Sequence, residues 1–151
     1  MHVIDRFHGE YDFLSNFHPA RVTFERIEFP TVEHAFQAAK TRDRGMRLTV
    51  ANAPSPGAAK RMGRRLPLRS DWEAIKVTVM RELVRLKFST HPELRAKLLA
   101  TGQTTLVEGN TWNDRFWGVC QGEGKNQLGL ILMEVRRELA EADIPVPESH
   151  E

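Results

Sequence analysis

The stretch SDWEAIKVTVMRELVRLKF, Ser70 to Phe88, places Ile75, Val79, Leu83 and Leu86 three or four residues apart, as one apolar stripe on a helix of several turns. Ser70 and Glu73 stand at capping-box spacing at its start. A helix with one such stripe is stable only when other elements cover it. The sequence on both sides supplies candidates.

Toward the C-terminus, Pro92 suits the first turn of a second helix, with Leu94 and Leu98 inward and Gly102 as its stop. Thr104 to Val107 reads as a short strand. Glu108 to Gly118, EGNTWNDRFWG, has no clean period and reads as a loop. Gly122, Gly124 and Gly129, with Lys125 and Asn126 between them, read mainly as a turn; their spacing matches neither a Walker loop nor a dinucleotide fingerprint. Leu128, Ile131, Leu132, Val135 and Leu139 then define a final helix. The segment 144–151 is expected to be a flexible tail to a domain spanning 1–143.

Toward the N-terminus, Thr41 to Arg69 is basic and loop-rich, interrupted by a short helix that Ser55 caps, Pro56 opens and Arg64 nearly ends. Thr31 caps another helix, with Val32, Ala35, Phe36 and Ala39 on one face and Glu33, Gln37 and Lys40 on another. Val22 to Phe29 alternates around Glu25-Arg26 and reads as a hairpin or a pair of irregular strands. Together these elements give an α+β fold, a mostly helical single domain with a few short strands and no internal repeat.

The 151 residues, 40% hydrophobic and 28% charged, have the balance of an ordinary globular domain able to bury its own core. A net charge of +2 is too small to require a polyanionic partner. One cysteine, Cys120, forms no internal bridge, and MHVIDRFHGEY lacks the apolar core of a leader. No apolar run approaches the length of a membrane span. A cytoplasmic protein with no membrane contact and no obligate protein partner is expected. The six histidines show no metal-ligand spacing, so neither a metal nor another cofactor is expected.

Chemistry concentrates in two places. In the Glu108 to Gly118 loop, Glu108 and Asp114 flank Asn110, Trp112 and Asn113. A carboxylate beside an anomeric carbon stabilises an oxocarbenium-like state or activates water, and Trp112 and Trp117 offer faces on which a base stacks. The same composition also suits core tryptophans and Asx-turns. On the Thr31 helix, Glu33 is a second candidate acid, with His34 beside it and Gln37 and Lys40 further along. Solvated or structurally satisfied side chains are the plainer reading there. Lys60 follows Ala58-Ala59 and precedes Gly63, a setting open to close ligand approach; a partly desolvated lysine also forms Schiff bases.

Read in order, FHGEYDFLSNFHPARV, FPTVEHAFQAAK, AAKRMGRR, RSDWEAIKVTVMRELVRLKF, LLATG, LVEGNTWNDRFWG and NQLGLILMEVRREL closely resemble the YbiA-like, or NADAR, family from about Phe7 to Leu139. The resemblance implies a compact helical α+β fold and N-glycosidase activity. The substrates it implies are phosphoribosylamino-pyrimidine intermediates of riboflavin synthesis or ADP-ribosyl adducts of nucleobases, guanine in DNA among them. The family pattern falls on Ser15, Asn16 and Phe17, on Glu33, His34 and Gln37, and on Lys60, Gly63, Arg64 and Trp72. It continues through Glu108, Asn110, Trp112, Asp114, Trp117 and Gly118.

The expected arrangement puts base and ribose between the Glu33 helix and the Trp112 loop, with Lys60 and Arg64 on phosphate. Catalysis is assigned to Glu33, Lys60, Glu108 and Asp114: Glu33 or Asp114 stabilises C1′ or activates water, with a Lys60 Schiff base as the competing route. The partner is then a phosphorylated N-ribosyl or ADP-ribosyl substrate, with ADP-ribosylated DNA as one carrier. A non-catalytic ADP-ribose or nucleotide-binding module uses the same side chains and releases no product. A nucleic-acid-binding protein built on the basic middle would instead show affinity that falls steeply with salt.

Overall fold

A computed structural model describes residues 2–143; the tail expected at 144–151 lies outside the described residues. In chain order the elements are β1 (Val3–Ile4), a 3₁₀ helix (Gly9–Leu14), β2 (Val22–Phe24), β3 (Ile27–Phe29) and α1 (Val32–Ala38). There follow α2 (Arg44–Ala51), α3 (Pro56–Gly63), α4 (Trp72–Thr90), α5 (Pro92–Ala100), β4 (Thr105–Leu106) and α6 (Gln127–Ala142). The fold is α+β and mostly helical, as the sequence pattern implies. Among the described residues no helix is long and apolar enough to cross a membrane.

The 19-residue α4 is the centre of the molecule, packed against α1, α5, α6 and β2. Val79, Met80, Leu83, Val84 and Phe88 form its buried face, whereas Ile75 and Leu86, two members of the expected stripe, are only partly buried. α6 covers this face with Leu128, Ile131, Leu132, Val135 and Leu139, all five of the residues its spacing selects. Arg81–Glu134 and Arg85–Glu138 ion pairs join the two helices along their margin.

β2 and β3 pair antiparallel in the register Val22 with Phe29 and Phe24 with Ile27. The chain reverses through Glu25 and Arg26, both at positive φ (49° and 70°), the two-residue turn whose twist matches the strands. Thr31 then caps α1, its Oγ1 accepting the His34 N–H at 3.1 Å. Ser55 caps α3 by accepting the Ala58 N–H, with Pro56 in the first turn.

Three features depart from the sequence reading. α2 lies inside the stretch read as loop. Asp43 caps it by accepting the Met46 N–H, and one of its two buried side chains is Arg47. That arginine donates to Thr41 O at 2.8 Å and pairs with Glu25 at 3.3 Å, so a tertiary setting stands in for an apolar stripe. The Ser70–Glu73 capping box does not form. The N-cap of α4 is Asp71, whose carboxylate makes no cap bond because Arg69 and Arg42 hold it. Finally, β1 pairs in parallel with β4 over two residues each, too short to leave an alternating pattern.

Candidate active site

Six segments enclose a cleft of about 1060 Å³: residues 7–19, α1 with Lys40, α3 with Arg64, the first half of α4, the loop from Glu108 to Trp117, and Leu128 at the start of α6. Its size suits a nucleotide-sized ligand. Of the residues selected from sequence, Ser15, Asn16, Phe17, Glu33, Gln37, Lys40, Lys60, Arg64, Trp72, Glu108, Trp112, Asp114 and Trp117 line it. His34, Gly63, Asn110 and Gly118 do not.

α1 brings the first acid to the cleft. All seven of its residues are buried, so the polar face carrying Glu33 and Gln37 is closed in by neighbouring elements rather than solvated. Gln37 Nε2 donates to Glu33 Oε1 at 2.8 Å, and Gln37 Oε1 lies buried with no partner. Burial raises the pKa of Glu33; the Gln37 hydrogen bond and the charges of Lys60 and Lys40 oppose that shift, and Asp114 reinforces it. Gly63 of α3 permits this packing, because a Cβ there would overlap the Gln37 carboxamide.

The second acid stands just after β4. The cost of desolvating its carboxylate pushes Glu108 up to about 7, with Asp114 and Glu33 adding to the shift and Asn110 and Lys60 opposing it. Asn110 Nδ2 donates to Glu108 Oε2 at 3.0 Å and to Asp114 O at 2.8 Å, while Asn110 Oδ1 accepts the Asp114 N–H. Asp114 Oδ1 in turn accepts the N–H groups of Phe116 and Trp117. One oxygen of Asp114 is therefore occupied in holding the loop, an Asx-turn role. Gly118 leaves room for Glu108 and Asn110, both of which a Cβ would strike.

The aromatic residues divide by burial. Trp72 and Trp117 both pack against Phe36, with ring centroids 5.1 and 5.3 Å away, and all three line the cleft. Trp112 is 53% exposed and has the Lys60 ammonium 5.7 Å from its ring centroid. With Phe17, 42% exposed, it offers the cleft an accessible stacking face. Lys40, Lys60, Arg61, Arg64 and Lys76 give the same wall its positive charge. Lys40, half-buried, has its pKa lowered by desolvation and by Arg64, Lys60 and Lys76, against the opposing pull of Glu33.

His34 is structural. Its Nε2 donates to Ala53 O at 3.1 Å and its Nδ1 accepts from Thr31 Oγ1 at 2.8 Å, tying α1 to the residues before α3. Sequence reasoning missed Arg61 and Lys76 on the wall, His8, Asp12 and His18 on the first loop, and Asn126, which carries Glu108. It also missed Lys87, buried behind the first loop. Ile75, Val79 and Leu83 are followed four residues on by Lys87, and a lysine continuing an apolar stripe was the available signal. Among the described residues no three His, Cys, Asp or Glu side chains are grouped to hold a metal ion.

The profile of the NADAR domain matches residues 5–140. The protein named N-glycosidase YbiA in Escherichia coli (strain K12) is 46% identical over 134 residues, covering 87% of this chain and 83% of that protein. The Vibrio vulnificus riboflavin biosynthesis protein VVA0006 is 42% identical over 140 residues, 91% of this chain but 37% of that longer one. The solution structure of E. coli YbiA superimposes with a TM-score of 0.83 at 41% identity, covering 99% of this chain and 95% of that one. A match over nearly the whole chain, in sequence and in fold, places the protein in the NADAR family.

Proposed function

We propose that this N-glycosidase hydrolyses the C1′–N bond of a phosphorylated N-ribosyl nucleotide, a phosphoribosylamino-pyrimidine of the kind made in riboflavin synthesis. One observation carries the reading: two carboxyl groups from segments far apart in the chain, Glu33 and Glu108, reach one cleft where burial raises the pKa of both. Acid–base work at neutral pH needs a group near half-protonation, and Glu108, at about 7, has that property.

In this mechanism protonated Glu108 gives its proton to the leaving nitrogen as the C1′–N bond breaks, its electron pair going to nitrogen. Glu33, which accepts the Gln37 amide and whose burial-raised pKa Lys60 and Lys40 partly offset, acts in its carboxylate form on the oxocarbenium-like C1′. Water then adds to C1′ and returns its proton to Glu108, leaving free ribose phosphate and the amine. Lys60 and Arg64 receive the phosphate and Trp112 stacks on the pyrimidine. In the covalent version a lysine amine replaces the pyrimidine amine at C1′. The ring C1′–O bond then opens, its electron pair and the lysine proton going to the ring oxygen to leave a Schiff base, and water hydrolyses that Schiff base to free the sugar and the lysine. Lys40 suits that step, because desolvation and the neighbouring cations lower its pKa and favour the uncharged amine.

The choice of substrate is supported by the Vibrio relative, which is named a riboflavin biosynthesis protein. A cytosolic setting suits a phosphorylated metabolite and the buried free thiol of Cys120. The test is a side-by-side turnover assay on the phosphoribosylamino-pyrimidine and on guanine-ADP-ribosylated DNA, read by mass spectrometry. Free pyrimidine amine and ribose phosphate are expected, with Glu33→Gln and Glu108→Gln each reducing kcat by roughly 100-fold or more. Release from the DNA alone would transfer the assignment to an ADP-ribosyl substrate. Binding of either compound without release would make the domain a nucleotide-binding module. Borohydride reduction during turnover separates the two routes, since only the covalent one leaves sugar on a lysine.

A further inference from the structure

Lys87, in the last turn of α4, is 1% exposed, and among the described residues no carboxylate is bonded to it. Its Nζ donates to two main-chain oxygens of the first loop, Phe13 O at 2.7 Å and Ser15 O at 2.9 Å. The Phe88 ring, 5.0 Å away, covers another side. Burying an ammonium group is costly; here desolvation lowers its pKa to about 7, against a weak opposing pull from Asp12. A methionine would fill the same space without that cost, but it would leave Phe13 O with no donor. The clamp therefore acts on the loop more than on the packing of α4.

The loop continues directly into the site. The residue after Ser15 is Asn16, whose carbonyl accepts the Glu33 N–H at 3.1 Å, and its side chain donates to Met80 Sδ at 3.4 Å. Glu33 stands in the first turn of α1, where a backbone N–H has no partner within the helix. The carbonyl that satisfies it lies one residue beyond the carbonyl that Lys87 holds. Ser15, Asn16 and Phe17 meanwhile line the cleft.

We propose that Lys87 is a positioning residue: by pinning the carbonyls of Phe13 and Ser15 it sets the Asn16 carbonyl on the Glu33 N–H, and so fixes both the loop wall and the Glu33 carboxylate. The part concerning turnover rests on the reading of Glu33 given above; the part concerning the loop does not. Lys87 touches no substrate in this scheme.

The test uses Lys87→Met, which keeps the length and removes the donors, and Lys87→Gln, which keeps a two-donor head. Amide hydrogen exchange is the readout independent of activity. In K87M, protection at Ser15–His18 and at Glu33 is expected to fall at least tenfold while the amides of α5 and α6 stay unchanged, with K87Q intermediate. In the turnover assay, kcat for K87M falls by roughly 10- to 100-fold, because small displacements of a reacting group are that expensive. KM changes less, and the loss largely disappears in a Glu33→Gln background. Unchanged protection at Glu33, or a kcat loss that simply adds to that of Glu33→Gln, overturns the proposal. Failure of both variants to fold also overturns it, since the clamp would then hold the whole fold. Glu33→Gln with wild-type turnover but loosened Glu33 and loop amides in K87M would sink the catalytic reading and leave the positioning of the loop intact.

Discussion

Asn126 accepts the backbone N–H of Glu108 on its Oδ1 at 2.9 Å and donates from its Nδ2 to Leu106 O at 3.0 Å. It holds this position in the left-handed conformation, φ 51°, immediately before α6, and Gly129 one turn later leaves room for it. The glycine-rich segment around it therefore works as a bracket between the end of β4 and the start of α6. Glu108 projects from that bracket.

Asn126→Ala removes both bonds at once and exchanges an asparagine for a residue that tolerates positive φ less well. The expected cost is about 1–3 kcal/mol of unfolding free energy. Turnover per folded molecule also falls, because Glu108 loses its backbone anchor. Thermal melts and single-turnover assays on the same preparation check both effects. A destabilised variant with wild-type kcat would mean that Asn126 serves the fold alone.

Gly63→Ala tests the contact that seats Gln37. A methyl group at this position overlaps the Gln37 carboxamide, and in a packed interior the displaced side chain costs about 1–3 kcal/mol. Gln37 then moves off Glu33, so kcat is expected to drop together with Tm. The double variant Gly63→Ala, Gln37→Ala relieves the overlap but leaves Glu33 without its amide donor. Stability should return only in part in the double variant, which relieves most of the overlap, while turnover stays low. Recovery of both would show that Gln37 has no part in holding Glu33.

The sequence was legible where one side chain pattern sufficed. α6 buries the residues its spacing selects, and Ser55-Pro56 opens α3 in the expected way. It was less legible where a residue's role depends on a distant partner. Arg47 is buried because Glu25 and Thr41 meet it, and nothing near it in sequence announces that. Asp71 loses its cap role to Arg69, two residues away, and to Arg42, 29 residues away. In the cleft, residue type alone selected Glu33 and Glu108. The division of labour among Asp114, Asn110 and His34 was hidden, since their hydrogen bonds decide it. Lys87 was within reach, as the polar residue that continues the stripe of α4.

Glu108 contributes a pH dependence that its glutamine variant isolates. Its folded-state pKa, about 7, lies above the ordinary 4.5, so the folded protein holds a proton that the unfolded chain has released between those values. The resulting stabilisation is fully present below about 4.5 and is lost as pH rises through about 7. Glu108→Gln cannot ionise and escapes that loss. The difference in Tm, variant minus wild type, should therefore be more positive at pH 8 than at pH 5; an equal difference at both would refute the raised pKa. The same proton is the one the mechanism donates to the leaving nitrogen. Wild-type kcat is thus expected to decline above about pH 7, following the ionisation of Glu108. The glutamine variant, lower by roughly 100-fold, should show no such decline. A wild-type profile that instead rises through this range would assign the carboxylate form to the rate-limiting step, with Glu108 activating water rather than protonating the amine.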